Sequence, residues 1–197
     1  DLNSAIFLNK LGVKTFKVAS ADIVDHQMHN FLARTGKKVI ISTGMSLMKE
    51  IEDVIKIYKK FKNKKYSLLH CVSNYPCTDK SLNLKNILTL KKKFKCEVGF
   101  SDHSVGNQAS IVSIGYGATI IEKHFTKSKS LDGPDHLASS TPKEFQSLVS
   151  DLRRTKNMLG SLNRKIQKEE IIMRKISRKS MIYNKDLEKG YKIQNSD

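Results

Sequence analysis

Polar and ionisable side chains recur at five points of the sequence, each directly after a short run rich in β-branched and aromatic residues. The five groups are Lys17 to Asp22, Ser42-Thr43-Gly44, His70 to Pro76, Ser101-Asp102-His103 and Glu122-Lys123-His124. In a parallel α/β barrel the carboxyl ends of the strands form one rim, where such enzymes build their active sites. Five groups in register therefore predict a catalytic rim.

His103 and His124 close two neighbouring runs. Neutral imidazoles are good ligands for Mn, Zn or Fe-type ions, and adjacent strand ends would bring the two rings together. Two protein ligands would leave positions open for substrate oxygens and water. The alternative is two separately hydrogen-bonded histidines. Cys71, Cys77 and Cys96 have the wrong spacing for a structural zinc site.

A lysine within an apolar strand predicts a bound anion. Lys17 stands between Phe16 and Val18, and a buried ammonium group needs an anionic partner such as phosphate or carboxylate. Hydroxyl donors for the same anion are Ser20, Ser42, Thr43, Ser73 and Ser101, although each taken alone is more typical of a structural role. Glu122 and His124 share one face of their strand, so Glu122 would orient water beside a metal or form an ion pair with a lysine.

The spacing of these groups predicts the elements that carry them. Strands are expected at Thr15–Ser20, Lys38–Thr43, Tyr66–Cys71, Glu97–Ser101 and Thr119–His124, and helices at Asn3–Leu11, Leu47–Phe61, Leu84–Phe94, Gln108–Gly115 and from Pro142 to about Leu159. Ser46 and Thr141 are the expected N-caps of the second and fifth helices. Alternating β and α elements indicate an α/β fold with a parallel sheet, either an open doubly wound sheet or a (β/α)8 barrel. The glycine-rich dinucleotide fingerprint is missing, which disfavours a dinucleotide-binding sheet.

Composition narrows the function classes. The formal net charge of +17 suggests nucleic-acid binding, but the lysines fall in predicted helices and their following loops with few interleaved aromatic residues, which favours a solvated face. No apolar run approaches the ~18 residues of a membrane span, so no membrane partner is expected. Three cysteines without CxxC spacing favour a reducing cytoplasm.

The motifs taken together resemble those of the sialic acid synthase family, which includes N-acetylneuraminate, legionaminate and pseudaminate synthases. They are FKVASAD from Phe16, ISTGM from Ile41, LLHCVSNYP from Leu68, VGFSDH from Val98, IEKHFT from Ile121 and GPDH from Gly133. The order and spacing of these six motifs match the family across about residues 1–155.

The resemblance implies a partial (β/α)8 barrel. Residues 1–160 would be its last five βα units, residues 161–178 a linker, and residues 179–197 the beginning of an antifreeze-like domain. The sequence opens on a predicted helix and lacks an initial Met, so a preceding strand is expected, and three strands of the family barrel have no counterpart. The intact parent is expected to be a homodimer.

The resemblance also implies an activity, the metal-dependent condensation of phosphoenolpyruvate with an N-acetylated amino-sugar aldehyde. The product is a nine-carbon 2-keto-3-deoxy acid, released with phosphate, and the metal is Mn or Mg. By position, Lys17, Ser20, Ser42, Ser73 and Ser101 would hold phosphoenolpyruvate, His103 and His124 the metal, and Asp22, Tyr75 and Asp135 the sugar, with Glu122 beside the metal. Ser73 and Asp22 stand where some members have Asn and Glu. The alternatives are a non-catalytic barrel remnant and a basic nucleic-acid-binding module.

Overall fold

The computed structural model describes residues 1–195, and the chain divides into two compact units at Gly160/Ser161. The first unit alternates strands and helices. Its strands are β1 (Thr15–Val18), β2 (Lys38–Ser42), β3 (Tyr66–His70), β4 (Glu97–Asp102) and β5 (Ile121–Lys123). Its helices are α1 (Leu2–Lys10), α2 (His26–Arg34), α3 (Met48–Lys60), α4 (Asp79–Leu82), α5 (Asn86–Phe94), α6 (Gln108–Gly115) and α7 (Pro142–Leu159), with a 3-10 turn at Ser20–Val24.

The five strands form one parallel sheet in the order β1-β2-β3-β4-β5. In a flat sheet, four strand spacings of about 4.8 Å would hold β1 and β5 ~19 Å apart. The side chains of Lys17 on β1 and Glu122 on β5 nevertheless meet at 3.4 Å, so the sheet is strongly curved. The fold is thus a parallel half-barrel, which confirms the α/β prediction and decides between the two architectures.

The convex face of the sheet carries the hydrophobic core. Phe16, Val18, Ile41, Leu68 and Phe100 alternate along the strands with residues of the concave face and are at most 4% exposed. They pack in one cluster with buried residues of the surrounding helices, among them Leu32, Ile55, Tyr58, Ile87 and Leu90. Full burial of such a side chain contributes ~1.5–3 kcal/mol, so this layer fixes the strands whose other face carries the polar groups.

Helix starts show one error and one confirmed prediction. Ser46 is not the N-cap of α3. Leu47 is the cap, and its backbone N–H donates to Glu50 Oε2 at 2.7 Å, while the Ser46 hydroxyl is buried without a hydrogen-bond partner among the described residues. The N-cap of α7 is Thr141 as predicted, and Glu144 closes a capping box with it.

The second unit begins at Ser161, and its described part, residues 161–195, contains one helix, α8 (Lys168–Ser177), whose residues are exposed. Within residues 179–195 no strand is present. The division of this part into a linker and the start of an antifreeze-like domain stays a prediction, and its last two positions lie outside the described residues. No helix in residues 1–195 is long and apolar enough to cross a membrane.

Candidate active site at the carboxyl rim

The concave face of the half-barrel gathers predicted site residues from all five strands. Ser101 on β4 donates to Glu122 Oε1 on β5 at 2.9 Å, and the Lys17 ammonium on β1 lies 3.4 Å from the other carboxylate oxygen. Ser20 and Ser73, which follow β1 and β3, share a hydrogen bond of 3.0 Å. Residues predicted from separate motifs are therefore side by side.

Lys17 differs from the prediction in its burial. Its side chain is 35% exposed because it points into the open concave face. Its ammonium group pairs with Glu122, itself 41% exposed, and also donates to the carbonyl of Val18 at 3.3 Å. The ion pair considered as an alternative for Glu122 is thus present. A pair this exposed contributes at most ~1 kcal/mol, so an incoming anion can replace the carboxylate with little loss.

His103 is held from two sides by the loop after β3. Its ring Nδ1 lies 2.6 Å from the carbonyl oxygen of Val72, and its own carbonyl accepts from Cys77 N–H at 2.8 Å. A carbonyl can only accept, so Nδ1 carries the proton and Nε2 has the free lone pair. Burial lowers the pKa of this imidazole, which favours the neutral form that a metal requires.

His124 completes an aromatic group with His103 and Tyr75. The two imidazole centroids are 5.4 Å apart, and the Tyr75 ring lies 4.2 Å from His103 and 5.2 Å from His124. Asp135 Oδ2 is 3.8 Å from His124 Nδ1. Burial raises the pKa of the Tyr75 phenol, so it remains a neutral hydrogen-bonding group.

The hydrogen bonds around Ser101 indicate how a cation would fit. Its hydroxyl has one proton, and a Glu122 carboxylate and His103 Nε2, 3.2 Å away, both offer only lone pairs. A positive ion at Nε2 would remove this mismatch. No three His, Cys, Asp or Glu side chains within residues 1–195 converge on one point. The nitrogens of His103 and His124, whose ring centroids are 5.4 Å apart, could instead hold a divalent ion as a pair, which would leave other positions for water or substrate oxygens.

Gly44 is a requirement of the site that residue chemistry alone did not single out. A Cβ at this position would lie 2.7 Å from Ser20 Oγ and would also collide with Ser73 Oγ. The Ser20–Ser73 pair therefore needs a residue without a side chain after β2. The clue in the sequence is the glycine within the second motif, ISTGM.

Three predicted site residues, Ser42, Thr43 and Asp22, take no part in the hydrogen bonds described above. Ser42 is 4% exposed and interacts with the buried thiol of Cys71, whose pKa is raised by burial. Thr43 is buried and donates to the carbonyl of Leu69 at 2.9 Å, so the geometry gives no support for its predicted role in substrate binding. Asp22 is exposed in the 3-10 turn, and among residues 1–195 its carboxylate has no hydrogen bond to the cluster.

A buried ion pair behind the rim was missed. Lys123 Nζ lies 3.0 Å from Asp102 Oδ2 on the convex side of β4 and β5, and the two side chains are 1% and 0% exposed. Both residues precede a predicted metal ligand. Strand alternation indicates that they face away from the site, but sequence gives no distance between them.

Comparisons with known proteins agree with this architecture. Residues 1–164 match the model of the NeuB family, and the chain belongs to that family. It is 40% identical to the N,N'-diacetyllegionaminic acid synthase of Campylobacter jejuni, over 96% of this chain and 58% of that protein. It is 34% identical to the pseudaminic acid synthase of the same species, over 93% of this chain and 53% of that one.

The half-barrel also has a counterpart among solved structures. The N-acetylneuraminic acid synthetase of Leptospira borgpetersenii superposes with a TM-score of 0.83 at 37% identity, covering 91% of this chain and 64% of that one. The predicted resemblance to sialic acid synthases is thereby confirmed. The chain spans about half the length of the curated relatives it matches.

Proposed function

We propose that this chain supplies the catalytic rim of an enzyme that condenses phosphoenolpyruvate with an N-acetylated amino-sugar aldehyde. The observation that carries the proposal is the joining of Lys17, Ser101 and Glu122 beside His103 and His124 on one concave face. Relatives named as legionaminic and pseudaminic acid synthases support sugar-acid chemistry. The candidate sugars are N-acetylmannosamine and 2,4-diacetamido-trideoxyhexoses.

The lysine and the serines are suited to the anionic substrate. Lys17 would exchange Glu122 for an anionic group of phosphoenolpyruvate, either its carboxylate or its more highly charged phosphate. Ser20 and Ser73 already face each other, and each can turn its hydroxyl toward an oxyanion. Ser42 and Ser101 would complete the set. Donors that are in place before the substrate arrives hold the enol for attack.

Metal and sugar would meet next to these groups. A divalent ion of the Mn or Mg type would act as a Lewis acid on the aldehyde oxygen. His103 and His124 would hold that ion, with the Val72 carbonyl keeping the His103 tautomer correct. Tyr75 and Asp135, which flank His124, would contact the sugar, and Asp22 is assigned the same role by its position in the family motif.

The reaction conserves atoms without any further reactant than water. C3 of phosphoenolpyruvate forms the new carbon–carbon bond to the aldehyde carbon, water adds at C2, and the C2–phosphate oxygen bond breaks to release phosphate. Glu122 accepts a hydrogen bond from Ser101. Its carboxylate would also accept a hydrogen bond from that water and so orient it. The new acid has nine carbons, three from phosphoenolpyruvate and six from the hexose.

The same family membership supports wider proposals about the whole protein. It would have a complete (β/α)8 barrel, of which these five strands are one part, and would work as a cytoplasmic homodimer. An antifreeze-like domain would follow the barrel after a linker.

The test is phosphate release by the longest reading frame that contains this chain, supplied with phosphoenolpyruvate, Mn²⁺ and each candidate sugar. We expect release with at least one sugar, and loss of release in His103→Ala but not in His26→Ala, a change on the exposed side of α2. Calorimetric titration of the 197-residue chain with phosphoenolpyruvate and Mn²⁺ tests the alternative of a non-catalytic remnant. A functional rim should bind both ligands, and a remnant should bind neither. Absence of phosphate release with every sugar would overturn the proposal.

A further inference from the structure

A second concave surface lies at the opposite end of the strands. A cavity of about 1030 Å³ opens at the amino-terminal ends of β2, β3 and β4, between the loop that follows α3 and the loop that follows α5. Six lysines line it: Lys38, Lys59, Lys62, Lys64, Lys65 and Lys95. We call it the lysine cavity. It is a full strand length from the rim, ~16 Å at about 3.3 Å per residue.

The positive charge of the lysine cavity is largely uncompensated. Its one carboxylate, Glu97, is already paired with Lys38 at 2.9 Å and accepts from Ser67 at 2.6 Å. Within residues 1–195 the other five lysines have no ion-pair partner. Five ammonium groups around one concavity repel each other, and a multiply charged anion would relieve that repulsion.

The backbone conformation of two of these lysines gives an independent reason to assign them a function. Lys62 and Lys95 have left-handed conformations, with φ of 55° and 49°, which side chains disfavour and glycine adopts freely. The turns after α1, α2 and α6 use Gly12, Gly36 and Gly117 for this purpose. Within residues 1–195, lysine takes this conformation at just the two turns beside the lysine cavity, although glycine would suit the backbone better.

The loop that carries most of these lysines is also held in place before any ligand binds. Asn63 is 5% exposed, and its amide nitrogen donates to the carbonyls of Ala33 and Lys37, each at 3.2 Å. Its side-chain oxygen accepts from Lys65 N–H at 2.9 Å. The positions of the lysine backbones are therefore fixed, which lowers the entropy lost on binding.

We propose that the lysine cavity binds a small polyphosphate, such as the triphosphate group of a nucleotide. The volume is that of a small-ligand site, and lysine ammonium groups bind phosphate oxygens as point charges. A surface for single-stranded nucleic acid would instead present several aromatic residues for base stacking, and Tyr66 is the one aromatic residue of the lining. This site is independent of the condensation proposed at the rim.

The test is calorimetric titration of the full chain with inorganic tripolyphosphate and, separately, with ATP. We expect saturable one-to-one binding. The double variant Lys62→Gly/Lys95→Gly should bind at least about tenfold more weakly, since two charge-assisted contacts are lost, while its unfolding temperature stays equal or rises. Tighter binding of ATP than of tripolyphosphate would identify a nucleotide, and equal binding would identify the phosphate chain alone as the ligand.

Two controls separate the charge effect from the backbone effect. Asn83→Gly relieves another left-handed residue, φ 41°, outside the cavity, and Lys92→Gln removes an exposed charge from α5; both should bind like the native chain. Lys62→Gln/Lys95→Gln removes the two charges but keeps side chains at both left-handed positions, so the backbone strain is unchanged. This variant should also lose binding. Equal weakening by Lys92→Gln, a lack of saturable binding, or tighter binding of a DNA oligonucleotide than of either phosphate ligand would overturn the proposal.

Discussion

Lys123 Nζ lies 3.0 Å from Oδ2 of Asp102, and protein atoms cover both side chains almost completely. Lys123 also donates to the carbonyl of Ser104 at 2.8 Å, and Asp102 accepts from the backbone and hydroxyl of Ser104 and from the hydroxyl of Ser110. Because His103 and His124 directly follow Asp102 and Lys123, the last residues of β4 and β5, this pair holds together the two strand ends that carry the imidazoles.

We expect Lys123→Ala to lower the free energy of unfolding by ~3–5 kcal/mol, because it leaves Asp102 buried without its partner. The double variant Asp102→Asn/Lys123→Met should be less destabilised than the sum of the two single changes. Urea unfolding followed by circular dichroism measures both. Lys49→Ala is the control, since Lys49 and Asp53 form an exposed pair on α3, and equal unfolding midpoints for the two lysine variants would contradict the prediction.

A second prediction concerns Lys17. We expect Lys17→Met to weaken phosphoenolpyruvate binding by at least about tenfold, because the ammonium group that would pair with the substrate's phosphate or carboxylate is lost. Stability should change by less than ~1 kcal/mol, since the pair is substantially exposed. Calorimetry and urea unfolding give the two values. Lys14→Met, an exposed change just before β1, should leave affinity unaltered, and an equal loss in both variants would count against a specific role for Lys17.

A third prediction concerns the metal. Removal of either imidazole, by His103→Ala or His124→Ala, should weaken Mn²⁺ binding by at least about tenfold in the absence of substrate. The electron paramagnetic resonance signal of free Mn²⁺ reports this directly and does not depend on catalysis. His26→Ala provides the matched control on α2. Unchanged Mn²⁺ binding in both rim variants would exclude these residues as ligands.

A fourth prediction concerns acid stability. Burial lowers the pKa of His29 to about 4, against an ordinary value of 6.5, and its Nε2 has no partner among the described residues while Nδ1 meets Tyr58 Oη at 3.1 Å. The unfolded chain therefore takes up this proton first, so stability is lost as pH falls from about 6.5 to about 4, by a total of ~3 kcal/mol.

Urea unfolding at a series of pH values between these limits measures the His29 contribution as the difference between the native chain and His29→Gln. The difference should shrink with falling pH, because the variant has no imidazole to protonate in the unfolded state. Gln27→Ala, an exposed change on α2 that removes no titratable group, should keep the native profile. Parallel profiles for the native chain and His29→Gln would contradict the prediction.

The fold was more predictable from sequence than the contacts of the site. The first four strands begin at the predicted residues, because β-branched runs and their spacing determine them locally. Three helices, α2, α4 and α8, were not predicted, and the cap of α3 was misplaced by one residue. Glu50 accepts a hydrogen bond from the backbone N–H of Leu47. This contact needs no polar side chain at the cap, so the residue type at Leu47 gave no signal.

Site residues were predictable by type and strand position, but their partners were not. Alternation along each strand places Lys17, Ser101 and Glu122 on one face, yet only the curvature of the sheet brings β1 to β5. The buried pair of Asp102 and Lys123 is a tertiary contact of the same kind. Thr43 shows the opposite limit, because its type and its position directly after β2 predicted substrate binding, whereas its hydroxyl donates to the Leu69 carbonyl.

The strand order has a consequence for how the half-barrel forms. Each strand pairs with the one that follows it in sequence, so every pairing closes a loop of roughly 20 to 30 residues. The closure entropies of such loops differ by only ~0.3 kcal/mol. Chain connectivity therefore favours no one pair of strands as the starting point, and the order of assembly depends on which neighbouring pair has the more hydrophobic contact.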